Sequence, residues 1–468
     1  MTEQHRGTWQ AWTRRVTFTG DAEALFAHLY GSRQTAVWLD SAHRAYDMGR
    51  FSIMGAPETS RDHVLEYDAA ASRVTVDGSP AGSELWGEIA DRIDAHPVSQ
   101  IAGIPFAGGY VGAIGYGAKQ IGHGTHAPDA QLTHLSRFLV IDHAAGELIA
   151  VAVGPAAEQE DADAWIAHTL DRATACEPLP APADTAPAGA ASASVTREKY
   201  LDDLGTVRTW LAAGDSYEAC YTYSLHFPFS GDGFEVYRRL RRDNAAPYAA
   251  FLRLPGRDIL SCSPERFLTV APDGWAETKP IKGTARRHLD PAADAEAARA
   301  LAADPKTRAE NLMIVDLLRN DLGRVSAPGT VTVPRLMGVE SYATVHQLVT
   351  SVRSKLLPRS AAGVCAAEAL FPPGSMTGAP KKRTVEMLDD LEAVPRGVYS
   401  GVVGFFSADG AVDLSVVIRT AVIENGEARI GTGGAITYDS VPEDELDETI
   451  AKSGAVLRAF GRTHPFAG

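Results

Sequence analysis

The chain has 468 residues, 45% of them hydrophobic, enough for two domains or one large compound domain with real cores. Its 44 Lys and Arg stand against 59 Asp and Glu, a formal charge of −15, which excludes a protein built to coat nucleic acid or an anionic membrane. An anionic small substrate stays possible if local cations hold it.

The opening "MTEQHRGTWQAWTRR" has no apolar run of signal length. No later stretch approaches roughly 18 apolar residues, so no membrane span and a cytoplasmic location are expected. Cys176, Cys220, Cys262 and Cys365 show neither pairing nor metal-ligand spacing and read as reduced, mostly buried thiols. There is no zinc pattern, Walker loop or GxGxxG motif.

In chain order, "TAVWLD" (35–40), "RFSIMG" (50–55), "HVLEYD" (63–68), "RVTVDG" (73–78), "SRFLVIDH" (136–143) and "ELIAVAVG" (147–154) read as strands. The glycine-rich "FAGGYVGAIGYGAKQ" (106–120) interleaves aromatics, which predicts close packing or a bent strand. Residues 158–175 read as a helix, and the Pro/Ala/Ser-rich 178–195 as a linker with almost nothing to bury. "GDSYEACYTYSL" (214–225) is a turn entering a strand, and helix and strand signals alternate to the end. The pairs are more hairpin-like than βαβ, so the expected class is α+β with large antiparallel sheets.

Several polar residues stand out. Glu265 precedes a strand after Pro264 in "SCSPERFLTV". In "ETKPIKGTARR" (277–287), Pro280 and Gly283 bracket Lys282 in what reads as a tight turn. Glu310 stands at the start of a helix over 308–325, where the helix dipole suits a carboxylate. His346 and Tyr399 are polar tips on apolar elements. Arg419 lies on an apolar strand, where it needs a partner: a structural carboxylate or a substrate's. "RIGTGGAITYDS" (429–440) suggests a glycine turn whose N–H groups could approach an anion. In 439–460, Ser440 and Glu443 fit a capping box. Glu445, Glu448 and Lys452 share one face of the helix that follows, which by spacing alone is a solvated charged face. Cations, a glycine stretch and several carboxylates would together suit a small polyanion with one bound metal.

Taken in order, "WLDS" (38–41), "GGYVGAIGY" (108–116), "GDSYEACYT" (214–222), "SPERFL" (263–268), "PIKGTARR" (280–287), "ENLMIVDLLRNDLGRV" (310–325), "ATVHQL" (343–348), "PPGSMTGAPK" (372–381), "RGVYSGVVGF" (396–405), "IRTAV" (418–422) and "GGAITYDSVPEDELDETIAKS" (433–453) resemble the chorismate-utilising enzymes, in particular component I of the aminodeoxychorismate synthases. The resemblance covers nearly the whole chain except the linker. It implies two intertwined subdomains, 1–177 and 196–468, joined by 178–195 and forming a large antiparallel β-sandwich flanked by helices. It implies Mg²⁺ held by Glu310 and Glu448 with Glu445 beside it. Tyr399 and Arg419 would bind the enolpyruvyl carboxylate. Gly433, Gly434, Ala435 and Lys452 would serve the ring carboxylate, Thr284 would add a substrate contact, and His346 would face the ring. Lys282 would be a nucleophile and Glu265 the acid that protonates the leaving hydroxyl.

The implied activity is amination of chorismate to 4-amino-4-deoxychorismate, toward p-aminobenzoate. A glutaminase-type cysteine setting is missing, so a glutamine amidotransferase partner would supply ammonia. Anthranilate synthase component I, in which a small residue usually replaces Lys282, is the rival enzyme. A non-catalytic chorismate-binding relative is the rival of another class. Two departures stand out: Glu218, where the family often has Gln or Lys, and "GGA" in place of the commoner "GAG".

Overall fold

The computed structural model describes residues 9–42, 48–119, 128–342 and 345–467. The first eight residues, Gln120 and the first two positions of "ATVHQL" lie outside the described residues.

Two 12-stranded sheets form the body, and the strand pairs in both are antiparallel. Each sheet takes strands from both halves of the chain. In the first, Ala36–Asp40 pairs with Tyr248–Leu254, Val37 lying opposite Leu252. In the second, Gly109–Ile114 pairs with Val402–Ser407, Val111 lying opposite Phe405. The halves are therefore intertwined through backbone ladders, as the resemblance implies, and the antiparallel sheets match the α+β expectation.

The period of two along each strand divides the core. In Ala36–Asp40, Ala36 and Trp38 face one cluster, packed with the aromatics Phe26, Tyr237 and Phe251, while Val37 faces the space between the sheets. Val402 and Phe406 face outward on the second sheet, and Val403 and Phe405 face inward. Each of these large side chains stabilises the fold by about 1.5–3 kcal/mol through area burial. Helices cover the outer faces: Gln159–Thr174 on Glu147–Pro155, Pro442–Ala459 on Glu427–Ile436, and Pro305–Gly323 on Val345–Lys355.

The glycine-rich stretch does pack closely. Gly109–Ile114 is buried throughout, and a Cβ on Gly112 would lie 2.1 Å from the Gln131 carbonyl oxygen. The segment at 178–195 buries more than its composition suggests. Ala191 and Val195 are in the first sheet's core, Ser192–Ala193 adds a short strand, and Thr185 Oγ1 donates to the Ala459 carbonyl at 3.3 Å. Arg242 also donates to the Pro182 carbonyl at 3.0 Å, so the segment runs as a strap along the C-terminal half. Among the described residues no helix is long and apolar enough to cross a membrane.

Candidate functional site

The site collects around the Glu427–Ile436 strand. One edge of this strand pairs with Glu218–Pro228 along its whole length. The other edge pairs with Thr420–Glu424 only as far as Ala421 opposite Ile430. Among the described residues, no strand lies beside that edge from Gly431 onward. The expected glycine turn is thus a strand, and any anion would meet a strand edge instead of a looped nest. The glycines have a steric reason: a Cβ on Gly431 would sit 2.1 Å from the Tyr399 ring, and one on Gly433 2.4 Å from the Tyr221 carbonyl oxygen. Tyr399, itself buried, therefore lies against bare backbone, and burial raises its phenol pKa.

Lys282 is also on a strand, not in a tight turn. It belongs to Ile281–Arg286 in the second sheet, where the pairing slips between Ile281 and Thr284 and Gly283 takes φ +81°. This bulge turns the Lys282 side chain inward, leaving it 7% exposed. Its Nζ donates to Glu218 Oε1 at 2.5 Å, so one ion pair ties the two sheets together. Glu218 is 1% exposed, and its Oε2 has no hydrogen-bond partner among the described residues. Burial alone would lower the Lys282 pKa, but the Glu218 and Glu310 carboxylates more than reverse this and raise it. Glu218 is a site residue that sequence reasoning registered only as a departure. Its place at the inward start of a strand after a turn was the available signal.

Glu265 is 5% exposed, and burial pushes its pKa up to about 7 despite nearby Ser375, Lys282, Lys452 and Arg419. A buried carboxyl whose folded pKa is raised contributes stability that is full below pH 4.5 and lost as pH rises through about 7. Glu265→Gln should thus melt with wild type at pH 4 and above it at pH 8, by up to about 3 kcal/mol at ~1.4 kcal/mol per pKa unit. Equal melting temperatures at both pH values would refute a buried, titrating Glu265.

Arg419 is not on a strand. It occupies a bend before Thr420–Glu424 with φ +50°. Among the described residues its guanidinium makes no hydrogen bond or ion pair, and burial lowers its pKa. Of the two readings left open by the sequence, the structural one has no carboxylate within ion-pair distance among the described residues, though the Glu265 carboxyl is near enough to favour the charge.

The metal candidates lie on two helices. Glu310 is not at a helix start: the helix is Pro305–Gly323, and Asp304 caps it by accepting from the Thr307 N–H at 2.7 Å. Glu310 is in the second turn, and burial lifts its pKa to about 7. Glu445, 2% exposed, and Glu448, half exposed, lie on Pro442–Ala459. The expected capping box is absent there. The N-cap is Val441, and Ser440 Oγ instead accepts from the Thr437 N–H at 3.0 Å.

Lys306, which sequence reasoning missed, joins the two helices. Its Nζ is 2.5 Å from Glu445 Oε1 and 3.9 Å from Glu310 Oε1. Its position four residues before Glu310 was the legible signal. Lys452 Nζ is 2.6 Å from Glu448 Oε1 and donates to the Gly433 carbonyl at 3.2 Å. Among the described residues no three His, Cys, Asp or Glu side chains already enclose a metal position. The donors nonetheless suit a hard dication: all are carboxylate oxygens, and an ammonium already stands between two of them.

Two further candidates lie on the paired strands Ile281–Arg286 and Val345–Lys355. His346 is buried, but its Nδ1 pairs with Ser341 Oγ at 2.7 Å and its Nε2 with Asp294 Oδ1 at 3.0 Å, so both ring nitrogens are engaged. Thr284 is exposed. Ala435, on the strand edge, lies opposite Cys220.

A family model described as chorismate binding enzyme matches residues 50–458. The chain is 42% identical to an aminodeoxychorismate synthase of Streptomyces pristinaespiralis over 98% of its own length, but spans only 66% of that relative. It is 38% identical to aminodeoxychorismate synthase component 1 of Salmonella typhimurium, covering 90% of this chain and 92% of that one. The crystal structure of anthranilate synthase component I from Streptococcus pneumoniae superposes with a TM-score of 0.77 at 27% identity, over 88% of this chain and 93% of that one. Intertwined antiparallel sheets, a matched family model over most of the chain and close relatives along its length agree, and the chain belongs to the chorismate binding enzyme family.

Proposed function

We propose that this chain aminates chorismate at ring position 4, giving 4-amino-4-deoxychorismate, with Mg²⁺ as cofactor and ammonia from a glutamine amidotransferase. The observation that carries the reading is the buried Lys282 amine, held at 2.5 Å by Glu218 at the junction of the two sheets. The names of the Streptomyces and Salmonella relatives support it, and the designation component 1 supports a separate amidotransferase. In the anthranilate synthases that the chain resembles, a small residue usually stands at this position, so the buried amine favours the aminodeoxychorismate reading.

Hydroxide is a poor leaving group, and a covalent route divides the substitution into two easier steps. Lys282 passes a proton to Glu218 Oε1 and attacks ring position 2 as the free amine. The diene electrons shift, and the bond from position 4 to its hydroxyl breaks. Glu265, protonated below about pH 7, donates its proton so that water leaves. Ammonia then attacks position 4, the electrons shift back, and the Lys282 amine departs from position 2. The new ammonium returns a proton to Glu265, and Glu218 returns its proton to Lys282. The balance is chorismate plus ammonia giving aminated product plus water.

Arg419 and Tyr399 orient the enolpyruvyl carboxylate, and Lys452 with the Gly433–Ala435 edge lies toward the ring carboxylate. Glu310, Glu445 and Glu448 would hold Mg²⁺, which supplies positive charge to the ring carboxylate.

Product analysis tests the reading. With chorismate, Mg²⁺ and concentrated ammonium at high pH, the chain should form 4-amino-4-deoxychorismate. With glutamine it should do so only after an amidotransferase subunit is added. Anthranilate as the product, or glutamine-dependent turnover by the purified chain alone, would overturn it.

A further inference from the structure

The Lys306 contacts have a consequence for how the site loads. Lys306 lies in the first turn of Pro305–Gly323, with its side chain 38% exposed and its amine over the gap between that helix and Pro442–Ala459. It reaches Glu445 Oε1 at 2.5 Å and Glu310 Oε1 at 3.9 Å. The remaining lysines of the cluster are engaged elsewhere, Lys282 with Glu218 and Lys452 with Glu448. Glu445 is 2% exposed, so its charge needs a close cation whenever none is bound from solution. Lys306 is a tethered cation, and it uses an oxygen that a dication would need.

An ammonium and a dication at contact distance on the same oxygen repel each other, so each weakens the other's hold. Resting on the Mg²⁺ reading above, we propose that Lys306 is an affinity-setting residue of the metal site: its ammonium occupies the seat between Glu310 and Glu445, and a divalent cation enters only by displacing it. Partial exposure gives the side chain room to swing into solvent at the helix start. Since displacement costs part of the binding free energy, the metal binds weakly alone. It binds tightly when a substrate carboxylate adds a further oxygen. Lys306 sets the affinity from which that gain starts, and the gain itself comes from the substrate's oxygen.

The test is Mg²⁺ titration by calorimetry on the full chain without chorismate. Lys306→Gln should bind roughly tenfold more tightly than wild type, and Lys306→Arg, which keeps the charge, should stay near wild type. Thermal melting in metal-free buffer gives an independent readout: Lys306→Gln should melt lower than wild type, and Mg²⁺ should raise its melting temperature at lower concentration. Unchanged or weaker Mg²⁺ affinity in Lys306→Gln, with binding intact, overturns this inference alone. Absence of Mg²⁺ binding in wild type and both variants, with or without chorismate, overturns the metal reading and this inference with it.

Discussion

Replacing Lys282 by alanine should lower the rate of 4-amino-4-deoxychorismate formation by roughly three orders of magnitude, about 4 kcal/mol of barrier at ~1.4 kcal/mol per tenfold. The substitution removes the proposed nucleophile, while Arg419, Tyr399 and the acidic helices keep their places. Its structural side effect must be separated. Lys282 and Glu218 are both buried, and deleting one member of such a pair leaves an uncompensated carboxylate, a loss on the order of 3–5 kcal/mol of stability. Lys282→Met combined with Glu218→Gln removes both charges and should restore most of that stability without restoring turnover. Chorismate binding should survive in the double variant. Mass spectrometry supplies the direct readout: wild type without ammonia should accumulate a chorismate-derived adduct on the Lys282 peptide. Aminated product at the wild-type rate from the folded double variant would make Lys282 a bystander.

The elements that sequence reading located well were those with a strong local pattern. The alternating strands of the first half fall within a residue or two of their expected places, because each has one face on a helix layer and one between the sheets. The site was legible as a set of residue types and less so as geometry. "PIKG" looks like a turn because Pro and Gly punctuate it, yet a bulge uses the same glycine and keeps the strand. "GTGG" looks like a loop because glycine is rare in strands, yet here bare backbone is what lets Tyr399 and Tyr221 approach. Arg419 reads as a strand residue because its neighbours are apolar, and only the fold reveals the left-handed bend that frees its guanidinium. His346 shows the opposite case: an imidazole on an apolar element whose two nitrogens are used by Ser341 and Asp294. Glu218 and Lys306 share a different difficulty. Their importance comes from partners 64 and 139 residues away, which no local spacing encodes.

Chelation of metal should abolish turnover, and Mg²⁺ should restore it. Glu310→Gln and Glu448→Gln should each lose on the order of a thousandfold in kcat/KM even when saturated with ammonium, because a hard dication needs several anionic oxygens. The two variants should differ in stability. Glu310 is buried with its pKa raised to about 7, so its charge is costly in metal-free buffer near neutrality, and a neutral glutamine should leave the fold as stable as wild type or more so. Glu448 is half exposed and its pKa is lowered: burial opposes its charge, but Lys452 at 2.6 Å outweighs that. Its removal should change metal-free stability little, since an exposed pair contributes about 0–1 kcal/mol. Mg²⁺ then separates function from fold. At about one hundred times its dissociation constant, a ligand that binds only the folded state stabilises it by about 2.7 kcal/mol. Wild type should show that gain in thermal unfolding, and Glu310→Gln should show little of it despite its sound fold. An enzyme that turns over fully in rigorously metal-free buffer, or a Glu310→Gln variant with undiminished Mg²⁺ stabilisation, would remove these carboxylates from the metal site.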